Sequence, residues 1–129
     1  MTNDDTVRSY LAAMRRGPAA EDEMMELFTD DAVYVEPFTG VEAPAVGKAE
    51  VRDRLRAGWE TPLPDLELDV LSIESQGSTA MSRWECRSTA LPGPVRGTDS
   101  YTFVGGRISR LEVTIDEVPP GTATGDLRD

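Results

Sequence analysis

The spacing of apolar residues changes once along this chain, and that change limits the folds open to it. Up to Trp59 most apolar positions recur at helical intervals; from Leu66 onward they alternate, as strands do. Val7, Tyr10, Leu11 and Met14 fall at i, i+3, i+4 and i+7, one helix stripe, with Asp4, Asp5 and Thr6 at its start and Arg15-Arg16-Gly17-Pro18 as a stop. A second helix turns Met24, Leu27 and Phe28 inward and ends near Thr29-Asp30-Asp31. Ala32 to Glu36 is a short strand closed by Pro37, and Phe38 to Gly47 reads as an irregular loop. Val51, Leu55 and Trp59 mark a third helix, stopped before Pro62 and Pro64.

Beyond Pro64 the period is two. Leu66, Leu68 and Val70 alternate, then Leu71 and Ile73 continue in the opposite phase, which predicts a β-bulge. Ser78–Thr89, Val95–Val104 and Arg107–Glu117 are further strands, the last two joined by Gly105-Gly106, a two-residue hairpin signal. Helices first and hairpin-linked strands after predict an α+β fold, three N-terminal helices on one face of a curved, mostly antiparallel sheet. The expected domain is 1–118, and 119–129 has few apolar groups and reads as a loose tail.

Composition narrows the chemistry. The 129 residues contain no histidine and one cysteine, Cys86, so histidine-based zinc sites, Ser-His-Asp triads, Cys-His pairs and intrachain disulfides are excluded. Thirteen basic against 24 acidic residues give a net charge of −11, a poor surface for nucleic acid. With no apolar run of membrane length and none of signal-peptide type, no membrane partner and a cytoplasmic location are expected. What remains for catalysis is carboxylates, tyrosines, arginines and hydroxyls, with no metal or organic cofactor expected.

The stretch from Leu27 to Phe38, with Asp30-Asp31-Ala32-Val33 and the step Glu36-Pro37, resembles the ketosteroid isomerase-like branch of the nuclear transport factor 2-like superfamily, which also holds the SnoaL-like polyketide cyclases. The order of elements and Gly106-Arg107-Ile108 extend the likeness from Val7 to Glu117. The resemblance implies a cone: a curved sheet wrapped over three helices, enclosing an apolar pocket. It implies a proton shuttle at Glu36, where the isomerases carry Asp, and oxyanion donors at Tyr10 and at a protonated Asp99. The cyclases place their acid–base Asp near the end of the last strand, matching Asp116. Such chemistry needs a base over the carbon beside a carbonyl and donors at the oxygen where charge develops.

Each candidate also fits a plainer part. Tyr10 suits a packed core, Glu36 a rim or an arginine partner, Asp99 a turn, and Asp116 a solvated strand face. Tyr34, Trp59, Trp84, Tyr101 and Val113 are the expected pocket lining. The expected function is an isomerase or cyclase acting on a mostly apolar, polycyclic ketone, working as a homodimer. The alternative is a module of the same fold that binds a small ligand or a protein without catalysis.

Overall fold

The computed structural model describes residues 2–60 and 63–118, so the expected tail at 119–129 lies outside the described residues. Helix α1 spans Asn3–Arg16. It starts earlier than the acidic run suggested, because Thr2 caps it. The Asp5 amide donates to Thr2 Oγ1 at 3.1 Å, and the Thr2 amide donates to Asp5 Oδ2 at 3.0 Å, so two otherwise unpaired donors satisfy each other's residues. Its stripe is buried as expected, with Val7, Tyr10 and Leu11 at 3% exposure or less. Gly17 ends the helix at φ 68°, a left-handed conformation that favours glycine.

A 3₁₀ turn, Gly17–Ala20, leads into α2, Glu21–Glu26. Here the structure corrects the sequence reading. Helix α2 ends before Phe28, which opens strand β1, Phe28–Val35. Ile108 N donates to Leu27 O at 2.7 Å and Phe28 pairs with Ile108, so the far end of the chain captures this residue into the sheet. Met24, Leu27 and Phe28 are all core residues, and a helical stripe that runs into a buried strand looks continuous in sequence. A second correction falls in the expected loop, where Ala45–Val46 forms a two-residue strand, β2, antiparallel to Val33 and Tyr34. Helix α3 spans Lys48–Trp59.

Strands β3 (Glu67–Gln76), β4 (Thr79–Arg87), β5 (Val95–Val104) and β6 (Arg107–Glu117) complete a curved, unclosed six-stranded sheet of order β2-β1-β6-β5-β4-β3. Only the β1–β6 pairing is parallel. The β3 register shifts between Val70 and Ser72, as the phase flip predicts, and Leu71 at the bulge is 52% exposed. Gly105 and Gly106 turn β5 into β6 with φ 60° and 80°, the two positive values that a tight hairpin turn requires. Helix α1 packs against β3, β4 and β6, and α3 against β1 and β2, leaving the other sheet face without helices. Strand β5 therefore alternates strictly, with Val95, Gly97, Asp99, Tyr101 and Phe103 turned inward.

Candidate active site

Two carboxylates are buried on the inner side of the sheet, and their surroundings differ. Glu36 follows β1 on the face it shares with Ala32 and Tyr34, and is 7% exposed. Pro37 breaks the strand there, and the chain folds back over the carboxylate. Oε2 accepts from the amides of Phe38 at 2.5 Å and Thr39 at 3.0 Å, while Oε1 accepts from Thr39 Oγ1 at 2.5 Å and from Arg54 Nη1 at 3.2 Å. Arg54, on α3, also donates through Nη2 to Ala43 O at 2.8 Å. Glu36 thus ties both ends of the 37–44 segment to a helix, with a cation and two backbone amides on its oxygens.

Asp99 lies on β5 and is 4% exposed. Its partners are neutral. Trp84 Nε1 donates to Oδ1 at 2.9 Å; the Tyr101 hydroxyl donates to Oδ2 at 3.2 Å; Ser82 Oγ donates to Oδ2 at 3.3 Å. Ser82 Oγ and Tyr101 Oη are also 2.7 Å apart; with one proton each, the two hydroxyls fill two of these three contacts at a time while Asp99 is ionised. Burial without a compensating cation pushes the Asp99 carboxyl from 3.8 up to about 6, while the Trp84, Tyr101 and Ser82 hydrogen bonds pull it back down. A carboxyl poised there can both take and return a proton near neutral pH.

Tyr10 and Tyr34 adjoin this carboxyl from α1 and β1. Burial raises both phenols well above their ordinary value, with neighbouring groups adding to it: Tyr34 and then Asp99 for Tyr10, Glu36 and then Asp99 for Tyr34. Tyr101 is raised in the same way, by burial and then by Asp99. All three hold their protons, and Tyr10 and Tyr34 are hydrogen-bonded to each other. The Tyr10 ring meets Tyr101 edge-on at 5.9 Å and Phe28 at 6.2 Å, so the cluster is packed tightly into the core.

The structure therefore brings Tyr10, Tyr34, Trp84, Asp99 and Tyr101 together, with Val113 opposite Asp99 in the β5–β6 register. Glu36 stands beside Tyr34. Trp59 is at the end of α3, half-buried against the core. Asp116 is elsewhere. It sits where the β5–β6 register shifts and accepts from Thr98 Oγ1 at 2.5 Å, on the outer face of the sheet. Thr98 and Asp99 are adjacent on one strand, so their side chains point to opposite faces. Asp116 lines a groove with Leu71, Arg83, Arg96 and Glu117 that Trp84 and Gly97 also border.

Sequence reasoning missed four contributors: Ser82, Gly97, Thr39 and Arg54. Ser82 was within reach, since it shares the strand parity of Trp84. Gly97 carries a close approach: a Cβ there would stand 2.2 Å from Trp84 Cζ2. Thr39 lies three residues from Glu36 and was within local reach, whereas Arg54 leaves no local trace, because its partner is identified only once α3 packs on β1.

The sequence pattern of the SnoaL-like domain family matches residues 7–111. No curated protein matches the chain. Among solved structures, a candidate ketosteroid isomerase from Kribbella flavida is similar at 21% identity and TM-score 0.71, over 92% of this chain and 83% of that one. A candidate polyketide cyclase from Sinorhizobium meliloti shares 27% identity at TM-score 0.69, over 85% of this chain and 94% of that one. TerC, co-crystallised with polyporic acid, shares 20% identity at TM-score 0.72, over 88% and 91%.

Proposed function

The chain belongs to the SnoaL-like domain family, and from that premise we propose that it is a small acid–base catalyst that moves a proton beside a carbonyl of a mostly apolar, polycyclic substrate without a cofactor. The observation that carries this reading is Asp99, a carboxyl buried among tyrosines and held near neutral pH by burial. In the proposed step, the packed core around Tyr10 and Tyr101 opens to admit the substrate, and Asp99 takes a proton from the carbon next to the carbonyl. The C–H electron pair becomes the enolate, whose oxygen is stabilised by the hydrogen-bonded Tyr10–Tyr34 pair. Asp99 then returns the proton to a second carbon. This moves to Asp99 the shuttle role that the resemblance implied for Glu36, and leaves Glu36 a structural part. Glu36 differs from Asp99 in the kind of its partners, the Arg54 cation and the Phe38 and Thr39 amides of the following loop, which supports a part in shaping the 37–44 segment.

That a protein of this fold was co-crystallised with polyporic acid supports an apolar small-molecule ligand. No described helix is long and apolar enough to cross a membrane. The sheet face without helices exposes Met81 and Val104, at 40% and 64%, and supports a homodimer through that face, which sedimentation at moderate salt tests. A cytoplasmic location belongs to the same reading, supported by the unpaired thiol of Cys86.

The decisive experiment is deuterium wash-in from D₂O at the carbon beside the carbonyl of polycyclic ketones, followed by NMR. Wild type exchanges, Asp99→Asn does not, and Glu36→Gln retains exchange. Exchange in Asp99→Asn equal to wild type overturns the assignment. If, in addition, a panel of phenols and naphthols fails to bind wild type, the non-catalytic binding module is the better reading.

A further inference from the structure

We propose that Trp84 is a positioning residue for Asp99: its indole N–H fixes Oδ1 as an acceptor, so that proton exchange is confined to Oδ2. The proposal rests on the reading of Asp99 as the proton-carrying carboxyl, and specifies which oxygen works and what aims it.

The geometry leaves little freedom. An indole nitrogen can only donate, so the oxygen it faces at 2.9 Å cannot point a proton at it. When Asp99 is neutral its proton sits on Oδ2, toward Ser82 and Tyr101, at 3.3 and 3.2 Å. Those two hydroxyls are hydrogen-bonded to each other at 2.7 Å, and either can be the donor, so they can reorient when Oδ2 gains or loses its proton. Trp84 has no such freedom. Its cross-strand partner is Gly97, and the indole lies across that residue so closely that a Cβ would stand 2.2 Å from Cζ2 and 2.6 Å from Cη2. The missing side chain at position 97 is what admits the ring at the angle from which Nε1 reaches Oδ1.

Among the described residues no charged group competes for that role. The groups facing Asp99 are Tyr10 from α1, Tyr34 from β1, Ser82 and Trp84 from β4, Tyr101 from β5 itself and the apolar Val113 from β6. The nearest ion pair, Glu36 with Arg54, adjoins Tyr34. Among the described residues Asp99 makes no ion pair, so its charged form is held by these neutral donors.

Two NMR measurements test this, and neither needs turnover. In the wild-type protein the Trp84 Nε1–H resonance should titrate with the Asp99 carboxyl, at about pH 6, and lose that titration in Asp99→Asn, while the half-buried Trp59 resonance stays constant. In Trp84→Phe, which keeps a ring and removes the N–H, the ¹³C-labelled Asp99 carboxyl should titrate about one pH unit higher, a tenfold weaker acid. A Trp84 resonance that ignores the Asp99 titration overturns the proposal. So does an Asp99 midpoint unchanged in Trp84→Phe. If that variant does not fold, the wild-type titration decides alone. A chain that exchanges no ketone proton but shows both titrations refutes the catalytic reading and leaves the Trp84–Asp99 arrangement standing.

Discussion

Glu36 and Asp99 lie at 7% and 4% exposure on the inner side of one sheet, yet the protein treats them oppositely. Glu36 has a guanidinium and two backbone amides on its oxygens, and those partners belong to a loop and a helix that it thereby joins. Asp99 has an indole and two hydroxyls, all neutral and all on neighbouring strands or its own. A buried carboxylate beside a cation is compensated and structural; one beside neutral donors keeps the cost of its charge and so stays ready to accept a proton. The difference shows that burial alone does not set how readily a carboxyl takes up a proton. The kind of donor around it does.

Breaking the compensated side should have the largest effect. Arg54→Met leaves Glu36, whose side chain is 2% exposed, without its cation, and should cost about 3–5 kcal/mol by urea unfolding. A loss under about 1 kcal/mol would show that the backbone amides suffice. The uncompensated side should respond to pH. The folded state raises the Asp99 carboxyl from 3.8 to about 6, so it binds that proton more tightly than the unfolded chain does. The resulting stabilisation is complete below 3.8 and is lost as pH rises through about 6. Wild type should therefore lose on the order of 3 kcal/mol relative to Asp99→Asn between acid and neutral pH. A pH-independent difference between the two proteins would show that the neutral donors fully compensate the Asp99 charge.

Smaller effects sharpen the contrast. Gly97→Ala forces the Trp84 ring off its seat and should cost about 1–3 kcal/mol while loosening the Asp99 hydrogen bond, read from the Trp84 indole resonance. Thr39→Val removes one donor from Glu36 and should cost about 1 kcal/mol with ketone proton exchange unchanged. Asp116→Asn, on the outer face with Thr98 as its partner, should stay within about 0.5 kcal/mol and leave exchange intact. Loss of exchange in that variant would move the proton chemistry to the outer face.

Local pattern was enough for much of this molecule. The bounds of β5 and β6, the Gly105-Gly106 turn, the bulge after Val70 and the buried stripe of α1 follow from periodicity and turn chemistry, because each is decided by residues adjacent in the chain. The same parity puts Asp99 on the face of Tyr101 and Phe103, and the family resemblance in the sequence points to Tyr10, Glu36 and Asp99. Only the tertiary structure decided the rest: that Phe28 leaves its helix for the sheet, that Glu36 meets Arg54 eighteen residues on, that Asp116 faces away, and that Trp84 crosses Gly97 to reach Asp99. Periodicity assigns a side chain to a face, whereas its partner depends on which strands and helices come to lie beside it. For a buried carboxyl the partner, cation or neutral donor, sets the proton affinity and with it the chemistry.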